Sequence, residues 1–400
     1  MTETFKKLER KCPICRSETG LVMGKLEFAL FDDFLLSRKF DVVACNNCTF
    51  VFYDTPDTSE NFEIVYRNHY FSSSYTSHSQ ITAVDAVINV ENDPIAIMGP
   101  YLKPETIICE IGCGRGALLM KMKRAGYNKL YGIEPSPDCV DYVREHYGID
   151  ALVGTADNIP FDISFDVIIS THVLEHVLNL QEAVKNISRK LTGHGLVYVE
   201  VPDLDEYDSQ KGASPLDYIT IYEHINHFTI SSLQCLFEQN RFKMINSGRK
   251  ILDMGTRLPL PVIYGVFQKD SSAKSLPSIL PQKLFEIDKV HHWLNKYVFS
   301  KSNIFEELAE LKTPIYIWGI NLCIQKYMTM SPLRECNIVG LIDRDPSKQK
   351  KSINGQKIQS PEVLNTIKEN VVVVIWGGPY RKSIENNLKE LEFKGTVVAL

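Results

Sequence analysis

The chain has no apolar run near the roughly 18 to 20 residues that cross a bilayer as a helix. Its first residues, Met1-Thr2-Glu3-Thr4-Phe5-Lys6-Lys7, are not followed by the apolar stretch of a secretory leader. Positive charge is not in excess either: 44 Lys and Arg stand against 49 Asp and Glu, a formal net charge of −5. These absences argue against membrane spanning, secretion and a broad basic face for nucleic acid, so a cytoplasmic protein is expected. What remains is ordinary globular composition, 44% apolar and 23% charged, over 400 residues. That length allows two or three domains with real cores. The ten cysteines, in a chain without a secretory signal, point to reduced thiols and metal ligation rather than disulfides.

Four of them are paired. Cys12-Pro13-Ile14-Cys15 and Cys45-Asn46-Asn47-Cys48 form C-x2-C-x29-C-x2-C. Two such knuckles supply four thiolates, the shell of a closed tetrahedral Zn2+ site, structural rather than catalytic. A redox dithiol or chance pairing is the competing reading. The insert between the knuckles carries strand-like runs at 26–30 and 41–44. The other cysteines, Cys109, Cys113, Cys139, Cys235, Cys323 and Cys336, are scattered and read as small core residues.

From about Tyr101 strands and helices alternate. An apolar run (106–109) leads into Glu110-Ile111-Gly112-Cys113-Gly114-Arg115-Gly116 and then an amphipathic stretch. This reads as strand, glycine turn and helix, with glycines letting the backbone approach a ligand. The spacing is G-x-G-x-G, not the G-x-G-x-x-G of a dinucleotide-binding oxidoreductase. Leu130 to Glu134 is a second strand whose terminal carboxylate suits a ribose diol. Ala151 to Val153 is a third, followed by Asp157 and Asn158 over the same crevice. Phe165 to Ser170 and Gly195 to Pro202 are the fourth and fifth, with helices at 138–147 and 180–191.

Two segments hold candidate chemistry. Thr171-His172-Val173-Leu174-Glu175-His176-Val177 follows the fourth strand, with His172 and His176 one helical turn apart. Tyr222-Glu223-His224-Ile225-Asn226-His227-Phe228-Thr229 precedes a helix capped by Thr229 or Ser231. Two histidines, a carboxylate and a tyrosine within eight residues are costly to bury without purpose. His224 and Glu223 suit a base and its orienter, since histidine titrates near neutral pH. A metal pair of His224 and His227, or a plain polar loop, are the alternatives. A third, aromatic stretch, Tyr66 to Tyr75, joins the cysteine module to the core.

Beyond a Ser-, Lys- and Pro-rich linker at 270–281 and a helical stretch at 283–311, a second α/β unit begins. Its strands are expected at 314–319, 337–343 and 371–376. Its first loop, Gly319-Ile320-Asn321-Leu322, lacks the glycine fingerprint, which argues against a bound dinucleotide.

The E-x-G-x-G-x-G turn resembles motif I of class I S-adenosylmethionine (SAM) methyltransferases. The whole plan is similar to the sugar C-methyltransferases that act on C-3 of nucleotide-linked 4-keto-deoxyhexoses. That plan is a cysteine quartet, a Y-x-x-x-Y-F link, motif I, L-E-H-V, E-H-x-x-x-F-[ST] and a second α/β unit. The resemblance implies an α/β fold in five segments. These are a zinc module (1–56), a helical link (57–100), a Rossmann-like SAM methyltransferase core (101–269), a linker and helix (270–310) and a Rossmann-like C-terminal domain (311–400). It implies that Glu110, Gly112 and Gly114 shape the methionine pocket and that Glu134 binds the ribose. Asp157, beside Asn158, would bind the adenine amine, and Thr171 and His172 would lie at the methionine end. His224 matches the family's proposed base, Glu223 its neighbour, His176 the histidine after the fourth strand, and Tyr70 a tyrosine before the core. The family's tyrosine two residues before the glutamate is Ile221 here, with Tyr222 alongside, and Tyr222 is taken as the catalytic candidate.

The expected activity is therefore SAM-dependent C-methylation of a nucleotide-linked 4-keto sugar through an enolate. SAM and structural Zn2+ are the expected cofactors, a small nucleotide-sugar the expected partner, and a monomer the expected state. Sugar or glycan O-methylation is the alternative. An RNA methyltransferase with a zinc module and a non-catalytic SAM-binding protein lie further off.

Overall fold

Short β-branched runs and amphipathic helices alternate along the chain, and they condense into three sheets. The computed structural model describes residues 5–67, 93–207, 221–252, 260–270, 287–294, 303–367, 370–375 and 381–399. Two compact units form, and neither is continuous in sequence. One comprises Met1–Met23, Asp41–Pro215 and Glu223–Val290; the other Gly24–Phe40, Leu216–Tyr222 and His291–Leu400. The insert between the cysteine pairs, Gly24–Phe40, thus groups with the C-terminal segment.

In the first unit, strands β1 (Phe5–Lys7), β2 (Thr19–Glu27), β3 (Lys39–Cys45) and β4 (Val51–Asp54) form the cysteine module's sheet. The central sheet is built from β5 (Ile107–Ile111), β6 (Lys129–Glu134), β7 (Asp150–Val153), β8 (Phe165–Thr171) and β9 (Leu191–Pro202). The short β10 (Asn226–His227) pairs antiparallel with β4, Asn226 opposite Phe52 and His227 opposite Val51. Strands β11 (Phe242–Leu252) and β12 (Leu260–Lys269) complete the central sheet in the order β11-β12-β9-β8-β5-β6-β7. Strands β5 to β9 run parallel, while β12 joins β9 antiparallel. The strand order reverses between β5 and β8, so their carboxyl ends open the crevice where α/β sheets bind ligands. Helices α1 (Ala117–Arg124), α2 (Pro137–Tyr147) and α3 (Leu180–Lys190) make the crossovers. The proline at the start of α2 and the left-handed Gly148 after its end fix its limits. A capping box of Thr229 and Ser232 opens helix α4 (Ile230–Glu238).

Apolar side chains cover both faces of the central sheet. One cluster joins Ile111, Ile168 and Val199 to Phe228, Leu233 and the module's Cys12, Ile14 and Phe50. The other joins Ile108, Val167 and Val266 to Leu119, Met122 and Val143.

The second unit has its own sheet. Strands β13 (Ile315–Trp318), β14 (Ile338–Ile342), β15 (Ser352–Ile353), β16 (Gln356–Gln359), β17 (Val372–Ile375) and β18 (Thr396–Ala399) lie in the order β15-β16-β14-β13-β17-β18. All adjacent pairs are parallel except β15 with β16. Residues 24–40 are fastened to this unit. The Ala29 N–H donates to the Gln325 carbonyl at 2.9 Å. The Asp32 carboxylate accepts from Asn354 N, Gly355 N and Ser352 Oγ at 2.8, 2.9 and 2.7 Å. The expected helix over 283–311 is described as two pieces, Ile287–Trp293 and Asn303–Leu311. Among the described residues no helix is long and apolar enough to cross a membrane.

Candidate functional site: a glycine turn, a histidine pair and a cysteine cluster

The turn after β5 is bent by three left-handed glycines, Gly112, Gly114 and Gly116, at φ 72°, 50° and 75°. A Cβ on Gly112 would meet Val173 Cγ2 at 2.4 Å, so this glycine is also a close-approach residue. The N–H groups of Gly112 and Cys113 both donate to the Ile133 carbonyl, tying the turn to β6. Glu134, at the end of β6, accepts from Gly114 N at 3.0 Å and Ser136 N at 3.1 Å. Burial raises its carboxyl to about 7 against those two hydrogen bonds. Glu110 is buried and pushed well above the usual carboxylate range by burial and by Glu134. Its Oε2 has no hydrogen-bond partner. An orphaned buried acceptor beside a glycine turn fits a ligand that brings a donor or a cation, as the methionine ammonium of SAM would.

Asp157 follows β7 and is half-buried, its Oδ1 accepting from Thr155 Oγ1 at 2.7 Å. Asn158 is exposed and closes the turn with Thr155. Glu134, Asp157 and the glycine turn thus all lie at the carboxyl end of the parallel strands. Thr171 ends β8, and His172 follows at φ 54°, an uncommon left-handed setting for a histidine.

His172 lies between two carboxylates. Its Nδ1 lies 3.3 Å from Glu175 Oε1 and its Nε2 3.4 Å from Glu200 Oε1. Burial disfavours its charge, but the two carboxylates prevail and raise it to about 10. Glu200 is held in turn by Lys250 Nζ at 2.6 Å and by the Tyr198 hydroxyl at 2.7 Å. Burial would raise the Glu200 carboxyl, yet His172 and Lys250 bring it down to about 2. The chain Lys250–Glu200–His172–Glu175 alternates in charge and is buried along most of its length.

The two histidine segments meet. The rings of His176 and His224 sit edge to face, 4.7 Å between centroids. His176 Nδ1 is 3.1 Å from the Glu223 carbonyl oxygen, which sets Nδ1 as the protonated nitrogen. Glu223 is buried and enters the cluster through its main chain, orienting His176. Burial, outweighing the nearby Glu175 charge, lowers His176 below the usual histidine value. Tyr66 packs edge-on against His176 at 5.7 Å. Tyr70 lies outside the described residues. Tyr222 belongs to the second unit, where its ring is buried and packs edge-on against Phe28 at 6.0 Å and Phe34 at 5.0 Å. That is aromatic core packing.

The pairing of His224 with His227 is not formed. His227 is buried, 3.0 Å from the Tyr207 hydroxyl, and lowered to about 3 by burial. Glu175, His176 and His224 do bring ligand atoms within 4.8 Å of one another, a set a divalent cation can use.

The cysteine cluster is closed. Cys12 Sγ lies 3.7 Å from Cys48 Sγ, Cys15 Sγ lies 3.4 Å from Cys45 Sγ, and all four sulfurs fall within 4.8 Å. A tetrahedron with Zn–S bonds of about 2.3 Å has edges of about 3.8 Å. The two knuckles share one backbone pattern. Arg16 and Thr49 are left-handed at 64° and 60°, and their N–H groups reach back to the Cys12 and Cys45 carbonyls at 2.9 Å. The thiols therefore fit a tetrahedral metal such as zinc.

Arg10 and Asn226 carry no motif signal, yet they hold these pieces together. The Arg10 Nη2 donates to Leu178 O at 2.7 Å and Asn226 Oδ1 at 2.8 Å. Asn226 Nδ2 donates to Leu174 O at 2.9 Å and Val177 O at 2.8 Å. A charged residue inside the apolar 195–202 run was the available hint for Glu200; nothing local marks Lys250. In the second unit the turn after β13 repeats the wiring of the first. Gly319 N donates to Ile342 O, and the Asp343 carboxylate accepts from Ile320 N at 2.9 Å and Asp345 N at 3.0 Å. There Lys348 Nζ also reaches Asp343 Oδ2, at 3.1 Å.

Residues 88–256 match a family model described as a methyltransferase domain, and residues 311–398 match one described as C2185-like, N-terminal. An uncharacterized methyltransferase of Staphylococcus carnosus is 31% identical over 94 residues, 23% of this chain and 45% of that protein. A tRNA U34 carboxymethyltransferase of Campylobacter lari is 25% identical over 121 residues, 28% of this chain and 40% of that protein. A ubiquinone biosynthesis O-methyltransferase of Rickettsia akari is 27% identical over 97 residues, 23% of this chain and 38% of that protein. The chain thus spans less than half the length of these relatives. Among solved structures, a SAM-dependent methyltransferase of Methanosarcina mazei aligns over 44% of this chain and 97% of its own, at 19% identity and TM-score 0.37.

Proposed function

The chain carries a class I, SAM-dependent methyltransferase domain, and we propose that it methylates a nucleotide-linked deoxysugar at the carbon beside a ketone. The observation that carries the reading is the half-buried His176–His224 pair that follows β8, next to a turn that suits SAM. SAM, when bound, supplies an electrophilic methyl group on a sulfonium. Glu110, Gly112 and Gly114 line its methionine end; Glu134 and Asp157 face its nucleoside. His224 takes the proton from the carbon next to the ketone, and the C–H electron pair becomes the enolate. The enolate carbon so formed would accept the methyl group that SAM would supply. His176, its Nδ1–H held by the Glu223 carbonyl, keeps the His224 ring edge-on and excludes water from that side. Burial favours the neutral form of His176, so the pair can hold one proton rather than two. The cysteine cluster is proposed to carry one structural Zn2+.

The same base acting on a hydroxyl would give O-methylation, and the O-methyltransferase among the curated relatives keeps that reading in view. The test is mass spectrometry of nucleotide-linked 4-keto sugars and their 4-hydroxy counterparts, incubated with SAM in heavy water. Methyl gain on keto sugars alone, with deuterium exchange at the adjacent carbon, is expected. Methyl gain on hydroxy sugars without exchange would replace C- with O-methylation. No gain on either set would overturn the sugar substrate.

A further inference from the structure

The structure points to Arg10 as a positioning residue that couples the cysteine module to the His176–His224 pair, and we infer that this module seats both histidine turns. This rests on the reading of His224 as the proton acceptor. Arg10 stands two residues before Cys12. Its main chain is fixed by the module: Arg10 N donates to Asp54 Oδ1 at 2.8 Å and Glu9 N to Asp54 Oδ2 at 3.2 Å. The Asp54 carboxylate is buried and anchored in turn by Lys6 at 2.8 Å. Immediately downstream, the first knuckle closes through Cys12 N to Ser17 O.

The guanidinium faces the other way. Nη2 donates to Leu178 O, Asn226 Oδ1 and Val177 O at 2.7, 2.8 and 3.3 Å, and Nη1 to Ile225 O at 3.3 Å. Every acceptor lies one or two residues after His176 or His224. Asn226 then closes the link, donating across to Leu174 O and Val177 O on the His176 turn. The strand pairing of β10 with β4 holds the same segment from the module side, and the Arg10 guanidinium lies 5.6 Å from the Phe52 ring centre on β4. A planar fork of five donors can serve four acceptors on two turns; an ammonium cannot.

The test uses the full chain with Arg10→Met and Arg10→Lys, reading metal content, affinity for S-adenosylhomocysteine, turnover and the imidazole NMR resonances of His176 and His224. Both variants are expected to keep their metal and to bind S-adenosylhomocysteine within about twofold. Turnover should fall roughly 100-fold in Arg10→Met with KM for SAM unchanged, as a small misplacement of a catalytic group does. The two imidazole resonances should move in both variants. Unmoved imidazole resonances, or lost turnover that simply follows lost metal or lost folded protein, would overturn the inference. If Arg10→Met does not fold, Arg10→Lys carries the test. Because the imidazole signals need no acceptor, they decide the coupling even if the sugar reading fails.

Discussion

Replacing Lys250 by Met should destabilise the first unit by about 3 kcal/mol, the lower end of the cost of breaking a buried ion pair from one side. The estimate takes the lower end for a structural reason. Glu200 keeps the Tyr198 hydroxyl at 2.7 Å and the His172 ring at 3.4 Å, so its charge is not wholly abandoned. For a unit of this size the loss corresponds to a fall in Tm of roughly 6–10 °C. Urea titration of Lys250→Met, Glu200→Gln and the double variant would measure the coupling, expected near 2 kcal/mol. The network also sets a pH window. Glu200, held near 2, contributes stability that is complete above its ordinary value of 4.5 and is lost as pH falls toward 2. His172, raised to about 10, contributes stability that is complete below 6.5 and is lost as pH rises through 10. Stability from these groups should be greatest between about pH 4.5 and 6.5, and His172→Gln should flatten the alkaline decline. A loss under about 1 kcal/mol in Lys250→Met, with no coupling in the double variant, would refute the reasoning.

Other perturbations read other parts of the molecule. Metal analysis should give one zinc per chain, and Cys48→Ser should lose it; folded wild-type protein without zinc would defeat the metal assignment. Gly112→Ala should weaken binding of S-adenosylhomocysteine at least tenfold in calorimetry. A left-handed alanine costs about 1–2 kcal/mol, and its Cβ would overlap Val173. His224→Asn should keep that affinity while turnover drops about 100-fold or more, the range for a lost general base; wild-type turnover would remove His224 from the chemistry.

The methyltransferase core was legible because each of its signals is local. An apolar strand, a glycine turn and a terminal carboxylate lie within a few residues of one another, so the strand order and the left-handed turn at Gly112, Gly114 and Gly116 follow from the sequence. The cysteine quartet was legible for the same reason. The Lys250–Glu200–His172 chain was not, since its members lie on β11, on β9 and just after β8, and nothing local marks Lys250 as the partner of the other two. Tyr222 misled because a tyrosine beside an E-H pair looks chemical, whereas packing against Phe28 and Phe34 is a contact between distant segments. His227 misled similarly: its neighbours Tyr207 and Tyr53 make it a buried, neutral ring. The contact of the Glu223 carbonyl with His176 carries no sequence signal, because any residue there would offer the same atom.

Residues 24–40 find their hydrogen-bond partners nearly three hundred positions later, at Gln325 and at Ser352 to Gly355. On the ribosome, at about 5–20 residues per second, that segment waits roughly 15–60 s before its partners emerge. During that interval Phe28, Ala29 and Leu30, all buried in the finished protein, face water. Synthesis therefore passes through a stage in which the cysteine knuckles can close while the loop between them is a sticky, unfinished edge. Chaperone demand and yield on expression should depend on how quickly the last hundred residues follow.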